Sequence, residues 1–115
     1  MTILYKSVRN LNILNSATLL YTVPANTEAY LLGVIMCNPT TTSSNPSNTE
    51  GTISMKLGGF HLFSQLRVAH NSTYEALNGQ KIMLTAGEQI VIEGTNIPQS
   101  SAGTLHLHVS LMEVS

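Results

Sequence analysis

The sequence predicts an all-β fold, an antiparallel β-sandwich or jelly-roll of seven or eight short strands, and three observations carry that prediction. Val, Ile, Leu, Tyr and Thr cluster into short runs separated by Gly, Pro, Asn and Ser, the grammar of strands and tight turns. Residues 21–38, YTVPANTEAYLLGVIMCN, set a Val-Pro-Ala-Asn turn ahead of one apolar strand. There Pro24 fixes φ and removes a donor, Ala25 and Asn26 suit a tight turn, and only Gly33 interrupts the apolar strand. The last stretch, 104–114, alternates, with Leu105, Leu107, Val109 and Leu111 on one side and His106, His108, Ser110 and Met112 on the other. No segment shows a helical stripe.

Taken in order, 3–8 is the weakest strand candidate, within a 1–16 segment read as an N-terminal arm or first strand. Its apolar residues Ile3, Leu4, Leu11, Ile13 and Leu14 need a partner surface. Strands follow over 17–23 and 28–37. The segment 38–51, NPTTTSSNPSNTEG, is too rich in Pro, Ser, Thr and Asn for a core and reads as an exposed loop. Loops beyond about twelve residues are uncommon unless functional or disordered. Strands over 52–57 and 60–66 flank Gly58-Gly59 as their turn, and Asn78-Gly79 marks another turn. Segments 81–84 and 89–93 read as a hairpin closed by Thr85-Ala86-Gly87-Glu88, where Gly87 is free to take a positive φ. Such a set favours antiparallel pairing with sandwich or jelly-roll closure, each strand burying one face against the opposing sheet.

A chain of 115 residues and 12.4 kDa suits one domain, 17–115, with one modest core. Charged residues are 10% of the chain, Asp is absent, and the net charge is -1. That leaves no basic footprint for nucleic acid and little means of steering charged substrates. Ser, Thr and Asn supply the polarity instead, which suits either a solvated surface rich in turns or a surface set against other subunits, where Lys and Glu are depleted. Cys37, the single cysteine, reads as a small inert hydrophobe at a strand end. The N-terminal residues lack a hydrophobic signal core and the longest apolar run is too short to cross a bilayer, so the expectation is a soluble protein made in a cytoplasm, with no membrane partner. Asn71-Ser72-Thr73 fits a glycosylation acceptor by spacing alone.

The sequence carries no catalytic signature. No Ser lies in a Gly-x-Ser-x-Gly elbow, no glycine-rich loop opens a helix, and the six Glu form no pair by position, so no catalytic residue and no cofactor is expected. His106-x-His108 places two imidazoles on one strand face about 7 Å apart, a weak metal candidate. The spacing is similar to the first motif of the cupins, from which the chain departs: Ser100 stands at the first Gly, and no later strand supplies a second motif. Tyr21 and Tyr30 are expected in the core, leaving Tyr5 and Tyr74 as thin support for sugar stacking.

Residues 18–44, TLLYTVPANTEAYLLGVIMCNPTTTSS, resemble an opening common among small virion proteins of tailed bacteriophages. Residues 77–96, LNGQKIMLTAGEQIVIEGTN, resemble their apolar strand, Ala-Gly-Glu, apolar strand unit, and TLHLHVSLMEVS resembles their closing strand. The resemblance implies a non-enzymatic β-sandwich building block, made in a host bacterial cytoplasm and carried in the virion. It points first to a capsid decoration or cement protein, a homo-oligomer, expected to be a trimer, that bridges major capsid subunits. The alternatives are a neck or tail component such as a connector or sleeve, and a host-receptor or glycan-binding module. Contacts to other subunits are expected from Ile3, Tyr5 and Arg9 of the N-terminal segment and from Thr41, Asn45 and Asn48 of the loop, by their unsatisfied apolar or polar character.

Overall fold

A computed structural model describes residues 1–10, 13–38, 51–69, 72–95 and 105–115. These form nine strands and, among the described residues, no helix. They are β1 (Ile3–Asn10), β2 (Thr18–Thr22), β3 (Glu28–Asn38), β4 (Thr52–Leu57), β5 (Phe60–Leu66), β6 (Ser72–Glu75), β7 (Ile82–Leu84), β8 (Gln89–Thr95) and β9 (His106–Val114). The pairing is nested: β4 with β5, β3 with β6 and β7, β2 with β8, β1 with β9. It is as if one long antiparallel ribbon had been wound up. Two further pairings, β3 with β9 and β4 with β8, close the ribbon into a first sheet β1-β9-β3-β6, where β7 continues along the same edge of β3, and a second sheet β2-β8-β4-β5. This is jelly-roll order, and the antiparallel sandwich expected from the sequence is what the chain adopts. The strand number exceeds the expected seven or eight because β6 and β7 split one position between them.

Why that position splits is visible in the hydrogen bonds. Ala76 N donates to Val34 O at 2.8 Å as β6 ends, and Val34 N, left without a strand partner, donates to the Glu75 carboxylate at 3.4 Å. The same carboxylate accepts from Leu77 N at 3.1 Å and from Asn78 N, so one side chain ties the bend at Asn78 (φ 50) and Gly79 (φ 82) to the middle of β3. Burial alone would raise the Glu75 pKa, but these backbone donors outweigh it and hold the carboxyl below its ordinary value.

The core lies between the sheets. The first sheet contributes Ala29, Leu31, Val34 and Met36 of β3 and Leu107, Val109 and Leu111 of β9; the second contributes Ile53, Met55 and Leu57 of β4 and Ile90 and Ile92 of β8. Burial alternates without a break along β9, as its sequence predicts. Ile13 is fully buried in this same core, so part of the N-terminal segment finds its partner surface within its own chain.

Three expectations need correction. The 81–84 and 89–93 segments are not a hairpin: β7 pairs with β3 and β8 with β2 and β4, so the turn between them crosses from one sheet to the other. The turn itself forms, with Glu88 N on Thr85 O, but Gly87 N donates to Val23 O and Val23 N to Glu88 O, tying it to the chain beyond β2. Of the two readings of the N-terminal segment, the strand is the one that forms, since β1 pairs with β9 along its whole length. Asn38 does not open a loop but closes β3, fully buried, its amide donating to Val68 O at 2.9 Å. Finally, Tyr30 is outside the core, because Ala29 and Leu31 take the inward positions on either side of it.

Candidate interaction face

The register places side chains of the first sheet in rows on its outer face. Tyr5 of β1 lies opposite Met112 of β9, Met112 opposite Tyr30 of β3, and Tyr30 opposite Met83 of β7. Four large side chains thus span the sheet in one row, with neighbours about 5 Å apart. The border residues are the most exposed, Tyr5 at 74% and Met83 at 51%. Ile3, Val114 and Glu28 flank this row at one end of the strands, and the Glu28 carboxylate accepts the Tyr30 hydroxyl at 2.8 Å.

Beyond it the character of the face changes. The next row is small, Ser7 opposite Ser110 and Ser110 opposite Gly33. After it come Arg9, His108, Ile35 and Glu75, again one residue per strand, with the cation at one border and the carboxylate at the other. A last row holds His106, Cys37 and Thr73. The face is therefore an apolar band and a mixed charged band separated by a low waist.

Ile3, Tyr5 and Arg9, expected as contact residues, all stand on this face because they share one parity on β1. Thr41, Asn45 and Asn48 lie outside the described residues. Sequence reasoning missed Tyr30, Met83 and Met112, since nothing local says that β1, β9, β3 and β7 are neighbours. His106 and His108 are half-buried here, facing Cys37 and Ile35 across the strands. Among the described residues no group of three His, Cys, Asp or Glu side chains is placed to hold a metal ion, and the Arg9 cation beside His108 opposes one.

Inside the sandwich, one charged residue occupies a core position. Glu113 continues the inward series of β9 at 5% exposure. Its Oε2 accepts the hydroxyl of Tyr21 from the second sheet, and its Oε1 lies 3.2 Å from Lys6 Nζ of β1. Burial first, and the bond to Glu113 second, push the Tyr21 phenol above its ordinary range. This triad closes one end of the core and clasps β1 and β2 to β9, a structural role.

The outer face of the second sheet carries a concavity of about 280 Å³ lined by Ser54, Lys56, His61, Gln65, Val91 and Glu93, among others. It lies at the lower limit of the volumes that enclose small ligands, roughly 300 Å³. Gln65 (φ 54) sits at a pairing irregularity of β5, its N–H donating to Ser54 Oγ at 2.9 Å.

Neither a protein-family model, nor a curated protein, nor a solved structure matches this chain.

Proposed function

We propose that this chain is a non-enzymatic structural protein of a bacteriophage particle, a decoration protein that works by binding and stabilises the head by bridging major capsid subunits. One observation carries the reading beyond the sequence resemblance. The row of Tyr5, Met112, Tyr30 and Met83 is an apolar band laid across a sheet face that the core does not use. In a chain with 10% charged residues, such a band favours burial against another protein surface over solvation. The jelly-roll supports it as a rigid platform, since four strand positions fix the spacing of its contacts.

The test is cosedimentation of the purified protein with shells assembled from a candidate major capsid protein. Saturable binding is expected, and Tyr5→Glu, at an exposed border position, is expected to weaken it strongly by breaking the association of copies that gives the protein more than one contact to a shell, while leaving the circular dichroism spectrum unchanged. Binding that is indifferent to Tyr5→Glu would remove this face from the reading. A large closed ring in native mass spectra, with no affinity for shells, would assign the protein to the neck or tail instead.

A further inference from the structure

We infer that a second copy of this chain packs on the outer face of the first sheet, related to the first by a two-fold axis running parallel to the strands between β9 and β3. The inference rests on the reading of this face as an interface and names one occupant for it. Rotation about that axis keeps every row at its own level and exchanges the columns, so β1 meets β6 and β7 of the partner and β9 meets its β3. Tyr5 then faces the partner's Met83, and Met112 faces the partner's Tyr30. Each contact sets a thioether on an aromatic ring, an attractive pairing. In the charged row, Arg9 faces the partner's Glu75, and the symmetry makes the contact twice. The waist of Ser7, Ser110 and Gly33 meets the same waist, and no atom lies within 4 Å of where a Cβ on Gly33 would stand, so the backbones can approach to sheet-packing distance.

The other in-plane two-fold, across the strands, exchanges the rows. It would set Tyr5 against the partner's Arg9 and Met83 against the partner's Glu75, covering charge with apolar surface and leaving Arg9 without its carboxylate. The Arg9–Glu75 contacts and the thioether–aromatic contacts therefore select the axis along the strands. The area suffices as well: four strand positions at about 4.8 Å by a nine-residue β9 at about 3.4 Å per residue give roughly 600 Å² per copy. The pair buries about 1,200 Å², the lower limit of a specific interface. Two twisted sheets meeting in this way lie within about 30° of parallel.

The experiment uses the full chain with Cys37→Ser, Tyr5→Cys and Met83→Cys. Within one copy, positions 5 and 83 stand at opposite borders of the sheet, three strand spacings or about 14 Å apart. A disulfide spans at most about 7 Å between Cα atoms, so any bond must join two copies. Mild oxidation is expected to give a covalent dimer on a non-reducing gel, whereas Tyr5→Cys with Arg9→Cys, which reports the other axis, gives none. In sedimentation velocity the unmodified chain is expected to be a dimer, and Arg9→Glu, which sets like charges face to face, to weaken it at least tenfold. Glu75 is left alone because it holds the bend after β6. A monomer, a trimer, or a dimer linked through positions 5 and 9 rather than 5 and 83 overturns the inference. A monomer that still binds shells overturns the pairing alone; a cross-linked dimer with no affinity for shells keeps the pairing and overturns the proposed function.

Discussion

Replacing Tyr21 with Phe removes one oxygen and leaves the ring, so the cost measures what the buried end of the core draws from a single hydrogen bond. The acceptor is Glu113, 5% exposed and held otherwise by Lys6, whose own side chain is half in water. A hydrogen bond to a charged partner contributes about 1.5–3 kcal/mol net. Tyr21 is only half-buried and water can reach part of the vacated space, so the lower part of that range applies, about 1.5–2 kcal/mol. At about 2.1 cal/mol/K per residue, a chain of 115 residues has an unfolding entropy that converts each kcal/mol into about 4 °C. The thermal midpoint of Tyr21→Phe is thus expected about 6–8 °C lower.

The assay is urea denaturation followed by circular dichroism, at pH 7 and again across the alkaline range. Because the folded state holds the Tyr21 phenol above its ordinary pKa, the stability tied to that proton is complete below the unfolded value of about 10 and is lost as pH rises towards the folded one. Tyr21→Phe should flatten that part of the alkaline decline. Lys6→Ala alone is expected to cost about 0.5–1 kcal/mol, as an ion pair with one partner half exposed. The double variant should cost more than the sum, since Glu113 is then buried with neither partner. A Tyr21→Phe midpoint unchanged within error, with the denaturant slope also unchanged, would refute the account of Glu113 as a residue that depends on Tyr21.

Gly58→Ala is expected to cost about 1–2 kcal/mol, because Gly58 has φ 57 and an added Cβ would stand 2.0 Å from Glu88 Oε2. Glu88 would have to swing aside and release Thr85 N, held at 2.7 Å, so faster amide exchange at Thr85 without a shifted midpoint would contradict the strain half of this account. For Glu75→Ala, hydrogen exchange should quicken at Leu77, Asn78 and Val34 while the β9 amides keep their protection. The Glu75 pKa is depressed in the fold, so in the unmodified chain the contribution is present above the ordinary carboxylate range and is lost as pH falls through the folded value. Unchanged exchange at those amides after Glu75→Ala would show that the bend holds without its carboxylate.

The sequence disclosed what local chemistry controls. β9 reads correctly because its alternation runs unbroken, and the β4–β5 hairpin because Gly58 and Gly59 supply the positive φ values its turn needs, 57 and 95. The Val-Pro-Ala-Asn turn forms with Asn26 at φ 57. β6 was not legible, since Ser72, Thr73, Tyr74 and Glu75 carry no apolar run and the strand exists only because β3 offers an edge. Nor was the fate of β7 and β8 legible: the turn between them looks the same whether it closes a hairpin or changes sheets, and only the pairing of β8 with β2 and β4 decides. The parity of β9 turns Glu113 inward, but the partners that make a buried carboxylate tolerable were not legible, since Tyr21 and Lys6 reach it from strands far away in sequence.

The interaction face shows the same limit most sharply. On β3 the outward residues are Glu28 and Tyr30 on one side of the register shift between Leu31 and Gly33, and Gly33, Ile35 and Cys37 on the other. Even positions give way to odd ones because Leu32 is the extra residue of a bulge, and a one-residue slip turns every later side chain to the opposite face. Without the bulge, Val34 and Met36 would leave the core and Ile35 would enter it. With it, Tyr30 joins the apolar row of Tyr5, Met112 and Met83, while Ile35 joins Arg9, His108 and Glu75, on one face of one sheet. A period-two reading of β3 must assign one of those two rows to the core. The two bands on which recognition by a second copy depends are therefore kept on one face by the bulge that absorbs Leu32, and deleting Leu32 should leave a β3 of unbroken alternation in which Val34 and Met36 stay in the core and Tyr30 and Ile35 stay on the face.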